Sequence, residues 1–216
     1  MTPFQESLSD LKTGFTAGFW LKLSIHDVKS RYGRTVLGPW WLTIGTGMAL
    51  TSIGFVWSAL FGMELAKLFP YLTIGYVLWM MLASFLIEGC STFTNGVASN
   101  LQQSFLLPKS VHVYRLVGRA VISFAHNVAI FIVAALIFQI SVNAWTLMAI
   151  PGLIVFILNG VWISIVLGVL GGRFRDIEPL IASAMTLLFL ISPIIWHADS
   201  LRGQRHLVDW NPIAHY

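Results

Sequence analysis

Four side chains could do chemistry inside an otherwise very apolar chain. Glu88, His126, Asn127 and Asn159 each sit in a run free of any other charged residue. Ionisable groups at membrane depth are costly and mark candidate functional sites. Glu88 and His126 would suit acid and base roles in a membrane enzyme, provided both face one cavity. A structural reading competes with this one. Glu88 lies near the end of its apolar run, within reach of the interface. His126 and Asn127 lie about two turns into theirs, where they can bond neighbouring helices. Motifs of other chemistries are missing. No Gly-Lys leads into Ser or Thr, which excludes ATP hydrolysis by a phosphate-binding loop. Neither His-Glu-x-x-His nor Gly-x-Ser-x-Gly occurs. One cysteine, Cys90, excludes an internal disulfide and a cysteine-based metal site in these 216 residues.

The remaining candidates are cations at the ends of apolar runs, together with tryptophans. Arg31 and Arg34 precede the pair Trp40-Trp41, and 29 uncharged residues, Thr35 to Met63, follow the second arginine. Lys and Arg favour the cytoplasmic side and Trp the headgroup layer, so these four are candidate contacts to lipid or substrate headgroups. Most of the nine tryptophans and 15 phenylalanines read as interface belts and lipid-facing packing. Trp57, Trp79 and Trp162 lie deepest. With Glu88 they are the candidate pore-lining residues, since aromatic faces stack on the apolar faces of sugars.

Composition dictates the elements that must position these groups. The chain is 56% hydrophobic and only 10% charged, against roughly 25% charged in a soluble domain. With a mean hydropathy of +0.77, the bilayer must be the solvent for much of it. The expected fold is all-α: a polytopic membrane protein with an amino-terminal interfacial helix and five transmembrane helices. Residues 4–30 read as one amphipathic helix, with Phe4, Leu8, Leu11, Phe15 and Phe19 at helical spacing. Gly14 and Gly18 weaken its continuity. The domain reading is 1–35 interfacial, 36–196 transmembrane and 197–216 external. The spans are expected near Leu37–Phe61, Phe69–Cys90, Val121–Ile140, Leu147–Leu170 and Leu180–Trp196. Ser141, Asn143 and Pro151 break a 53-residue uncharged run, Ala120 to Gly172, that is too long for one crossing. Residues 91–119, first polar and then basic, read as a cytoplasmic loop containing a short helix. Gly168 and Gly172 form a Gly-x-x-x-Gly pair, a weak sign of a helix contact face. With the amino end inside, ten of the 13 cations fall on the cytoplasmic side and Lys67, Arg202 and Arg205 outside. The net charge of +4 is therefore read as orientation bias and not as a nucleic-acid surface.

These pieces together resemble the permease subunits of ABC-type polysaccharide exporters, which move O-antigen, capsular polysaccharide or teichoic acid. The resemblance rests on Arg31-Tyr32-Gly33-Arg34 before Leu37-Gly38-Pro39-Trp40-Trp41, on Asn100 to Arg115 with Leu107-Pro108 and a following basic residue, and on Arg173-Phe174-Arg175-Asp176-Ile177. Pro193 with Trp196 and the closing Asn211-Pro212 fit as well. It implies that two copies of the chain form a channel for a lipid-linked glycan in a bacterial cytoplasmic membrane. Two ATP-binding subunits would bind beneath, carrying the ATP and Mg; no cofactor is expected in this chain and no nucleic acid among its partners. It further implies a coupling helix at residues 96–110. Asn100, Gln102, Gln103, Pro108, Lys109 and Arg115 are candidate ATPase contacts, and Arg173, Arg175 and Asp176 a second contact or a brace for the turn. The family carries a sixth span, so this chain is expected to be a fragment or a truncated product. The alternatives are an exporter of drugs or other lipids, a membrane enzyme acting on lipid-linked sugars with Glu88 and His126 as acid and base, and a purely structural membrane subunit. A cysteine placed at Gln103 is expected to crosslink to a co-expressed ATPase; assembly without the crosslink would remove the coupling assignment.

Overall fold

The computed structural model describes residues 3–94, 108–140 and 144–195, and every regular element among them is helical. The polytopic all-α architecture is as expected. Helices α1 (Pro3–Thr16) and α2 (Phe19–Arg31) precede α3 (Trp40–Phe61) and α4 (Leu65–Ala83). Helix α4 continues through a π-helical turn, Ser84–Glu88. Then come α5 (Ser110–Ile137), α6 (Ala149–Arg173) and α7 (Ile177–Ile191). Four stretches are long and apolar enough to cross a bilayer: Trp40–Leu60, Leu65–Glu88, Ser110–Ile137 and Thr146–Arg173.

Three expectations need correction. The single helix over 4–30 is two. Gly18 takes a left-handed φ of 62° and starts a new helix at Phe19, a conformation that only glycine adopts without strain. The loop over 91–119 ends early, because residues 110–119 are the first turns of α5. At 1.5 Å per residue the 28 residues of α5 run about 42 Å against a hydrocarbon core of about 30 Å. Its first turns therefore protrude from the apolar layer. The last span is also shorter than expected: α7 has 15 residues, about 22 Å, and the chain turns extended at Ser192 just before Pro193, which restricts the residue preceding it. Ser141, Asn143, Trp196 and the segment 197–216 lie outside the described residues, as do Asn100, Gln102 and Gln103.

Packing divides into two clusters. Leu50, Leu72, Trp79, Met185, Ile194 and Ile195 pack α3, α4 and α7 together. Met81, Phe85, Val113, Leu116, Val117 and Ala120 pack α4 on α5, with Phe156 and Ile165 of α6 alongside. Lipid is as apolar as leucine, so burial alone gives little drive to join spans; close approach and polar bonds must do so. The α4–α6 contact is built that way. Gly160, Ser164, Gly168 and Gly171 form the buried face of α6. The Ser164 hydroxyl donates to the Phe85 carbonyl at 3.1 Å. A Cβ at Gly168 would lie 2.8 Å from the Phe93 ring and 3.2 Å from the Gly89 carbonyl oxygen, and one at Gly171 would run into the backbone of Cys90. Gly172, paired with Gly168 in the sequence reading, has only Thr94 near it.

Gly171→Leu is expected to destabilise the bundle by about 2–3 kcal/mol, the scale of overpacking against backbone that cannot move. Gly152→Leu, with open space around Gly152, should leave the thermal midpoint in detergent unchanged or higher. Equal behaviour of the two variants would refute the seam.

Candidate functional site

Beyond the apolar core, the first turns of α5 are gripped by both amino-terminal helices. The Asp10 carboxylate accepts from the backbone N–H groups of Lys109 at 3.0 Å and Ser110 at 2.9 Å. The Ser110 hydroxyl donates back to the Asp10 carbonyl at 2.8 Å, and the Tyr114 hydroxyl donates to the Leu11 carbonyl at 3.2 Å. Asp10 thus caps α5 from a different helix, satisfying orphan N–H groups and placing a negative charge at the positive end of the helix dipole. Helix α2 follows the same face one turn on. The Ser24 hydroxyl lies 2.7 Å from the Trp20 carbonyl oxygen and 2.9 Å from that of Arg115, directly over Gly118.

At the end of α2 the contact becomes ionic. Asp27 receives a two-pronged grip from Arg115, with Nε at 2.6 Å from one oxygen and Nη2 at 2.5 Å from the other. Arg119 reaches the same carboxylate at 3.1 Å and, through its other nitrogen, Glu88 at 2.6 Å. The Ser84 hydroxyl donates to the second Glu88 oxygen at 2.8 Å. Arg115 and Arg119, four residues apart, share one helix face. The π-helical turn over Ser84–Glu88 turns Glu88 toward them, and such turns recur at functional positions. Burial grades along the cluster: the side chains of Arg115 and Asp27 are 12% and 14% exposed, against 29% for Arg119 and 46% for Glu88. The Arg115–Asp27 end is therefore the structural end, and the Arg119–Glu88 arm is exchangeable with water. Burial pushes the Asp27 carboxyl up, but the hydrogen bonds and charge of Arg115, then of Arg119, outweigh it and hold the group below its ordinary value.

The cluster forms one wall of a cavity of about 510 Å³ between α2, α3, α4 and α5. Arg31 and Tyr32 stand at its α2 side and Asn127 is part of its α5 wall. A second cavity, about 450 Å³, lies between α4 and α7 and is bordered by Trp79, Glu88 and Phe189.

The sequence-derived candidates are distributed as follows. Arg115 is the half-buried partner of Asp27, on α5 and not in a loop. Pro108 and exposed Lys109 lead into α5. Arg173, Arg175 and Asp176 are exposed at the α6–α7 turn, where the Asp176 carbonyl accepts the Leu180 N–H at 3.2 Å. Arg34 is exposed in the turns before α3. Trp40 and Trp41 are exposed at the start of α3, with Trp40 edge-on to His126 at 5.6 Å. The three deep tryptophans do not converge. Trp79 is core, 5.5 Å from the Phe189 ring; Trp57 packs half-buried at the edge of the same cluster; Trp162 is exposed on α6 and donates to Asn159 Oδ1 at 2.8 Å. Glu88 and His126 share neither cavity. His126 Nδ1 lies 2.9 Å from its own helix carbonyl at Ile122, and the His126 carbonyl accepts the Thr43 hydroxyl at 3.2 Å. Sequence reasoning missed Asp27 as a partner, although a signal exists: it is the only acid between Asp10 and Glu64, in a stretch rich in cations.

Apolar helices of membrane-crossing length, bound at one end by a charged collar, define a polytopic membrane protein. The chain belongs to the ABC-2 type transporter family, whose profile matches residues 20–216. It is accordingly a membrane-spanning permease subunit of an ABC transporter, and the family implies a separate ATP-binding partner. A search of curated proteins gives no significant match.

Asp27→Ala should cost about 1.5–3 kcal/mol, the scale for losing hydrogen bonds to charged groups in a partly buried pair, and should free α2 to proteolysis. The pH dependence follows from the lowered carboxyl. Asp27 stabilises the fold fully above its unfolded value of about 3.9. That contribution fades as pH falls through the lower folded value. Protection of α2 should persist at pH 5 and be lost only in stronger acid, and D27A should abolish this transition.

Proposed function

We propose that the chain is the permease subunit of an ATP-driven exporter that moves a lipid-linked polysaccharide across a bacterial cytoplasmic membrane. The amino terminus lies inside, two copies form the conduit, and an ATP-binding subunit docks beneath each. The observation that carries this reading is the build of the charged end. Phe4, Leu8 and Phe19 are exposed apolar residues on α1 and α2, Phe15 between them packs one side against Trp20 and Tyr114 and leaves the other exposed, and Asp10 and Asp27 fasten those helices to α5. A helix pair that leaves most of this apolar surface exposed, beside Arg31 and Arg34, suits a platform lying in the headgroup layer. There a lipid-borne substrate would be met before it enters the conduit.

The glycan itself rests on the sequence motifs at Arg31–Trp41 and Arg173–Ile177 read within the shown family. The 96–110 segment enters α5 at Lys109, whose backbone is tied to Asp10, so a load on that segment would reach α1 at once. Arg173, Arg175 and Asp176, exposed and without ion-pair partners among the described residues, suit a second contact with the ATPase. The enzyme reading is weakened by the separation of Glu88, held in an ion pair, from His126, which borders neither cavity.

The assembled complex should show ATPase activity stimulated by its lipid-linked glycan. Stimulation by drugs or simple lipids alone would replace this reading with the broader exporter one. Charge reversal at Arg175 should reduce coupling between hydrolysis and export; unchanged assembly and export would remove the second contact.

A further inference from the structure

The larger cavity has two features that the ion-pair collar leaves unused. Three arginines, Arg31, Arg115 and Arg119, face two carboxylates, Asp27 and Glu88, so one positive charge is left over. It resides on Arg31, which has no ion-pair partner among the described residues. Arg119 spends one of its two contacts on Glu88, the most exposed member of the cluster, so that arm can be given up to a competing anion at little cost. The second feature is Asn127. It is 2% exposed, forms part of the cavity wall, and its carboxamide oxygen has no partner among the described residues. A buried amide oxygen without a donor is unfavourable, so a ligand hydroxyl that reaches it gains by pairing it. The terminal torsion of Asn is broad and roughly two-fold, so a modest turn offers that oxygen to the cavity. Asn127 lies eight residues beyond Arg119, about 12 Å along α5. Leu42, Met80 and Phe124 line the interval.

We propose that this cavity binds the headgroup of a phosphate-bearing amphiphile, with the phosphate held by Arg31 and Arg119 at the α2 mouth and a headgroup hydroxyl donating to Asn127. Arginine suits the phosphate because its planar fork matches two phosphate oxygens. Asn127 makes the site selective, since a phosphate ester without a hydroxyl leaves the amide oxygen unpaired. Two sources share this chemistry: a hydroxylated membrane phospholipid, and the sugar-phosphate junction of a lipid-linked glycan. Only the second rests on the export reading above.

The test uses the full chain in nanodiscs and counts lipids retained after extraction by native mass spectrometry. Phosphatidylglycerol, which is anionic and hydroxylated, is compared with phosphatidylethanol, which is anionic without a hydroxyl, and with zwitterionic phosphatidylcholine. The wild type should retain phosphatidylglycerol most strongly. Arg31→Gln should weaken its retention about tenfold, the loss of one charge-assisted contact. Lys29→Gln, which removes a charge from the same helix outside the cavity, should not. Asn127→Leu removes the orphan and should fold at least as well; it should abolish the preference for phosphatidylglycerol over phosphatidylethanol while keeping both ahead of phosphatidylcholine. Displacement of phosphatidylglycerol by a lipid-linked sugar phosphate assigns the site to the substrate, and retention against it assigns the site to membrane lipid. Equal retention of phosphatidylglycerol and phosphatidylcholine, or equal effects of R31Q and K29Q, would overturn the proposal. Lipid retention is read without ATPase activity, so failure of glycan stimulation would leave this result standing.

Discussion

The seating of α2 against the bundle, and the placing of Arg119 between two carboxylates, depend on Asp27 being paired. A carboxylate and two guanidinium groups at the border of an apolar layer are expensive to desolvate, and the cost is offset only when geometry and hydrogen bonds are near ideal. The two-pronged Arg115 grip supplies that geometry. Once Asp27 is fixed, α2 cannot leave α5 without stranding a charge, and Arg119 is held where it can also reach Glu88. One side chain on an amino-terminal helix thereby sets the relative position of three elements. Helix α1 is fastened independently, through the Asp10 cap.

The two ends of the bundle are built on different physics. At the collar, charge and hydrogen bonds orient helices that already protrude from the hydrocarbon. Deeper in, van der Waals contact must suffice, and the small residues on α6 let its backbone approach that of α4 closely. Toward the other end, the Tyr71 hydroxyl donates to the Pro193 carbonyl and Ile194 packs over Gly75. The segment after α7 thus folds back onto α4.

Much of this was legible in the sequence, for identifiable reasons. Long uncharged runs bounded by cations admit few foldings in a bilayer, so α3 to α6 follow almost directly from composition. The break at Gly18 was signalled by glycine inside a helical pattern. The length of α5 was hidden, because Lys109 to Arg119 reads as polar loop when taken alone; only the docking of α1 and α2 makes a protruding helix pay. The collar was hidden for the same reason: Asp27 and Arg115 are 88 residues apart, and no local period links them. The π-helical turn has no composition of its own and emerges from packing. The tryptophans misled in the other direction, since depth along a span does not say which face a ring occupies.

One residue of the α4–α6 seam has a practical consequence. Cys90 is 1% exposed, its thiol is bonded to the Leu86 carbonyl at 3.1 Å, and its backbone lies against Gly171. An aqueous thiol reagent finds nothing to attack there. For spectroscopy, these 216 residues therefore offer only a buried thiol as background to a spin label or fluorophore attached through a cysteine introduced at the surface.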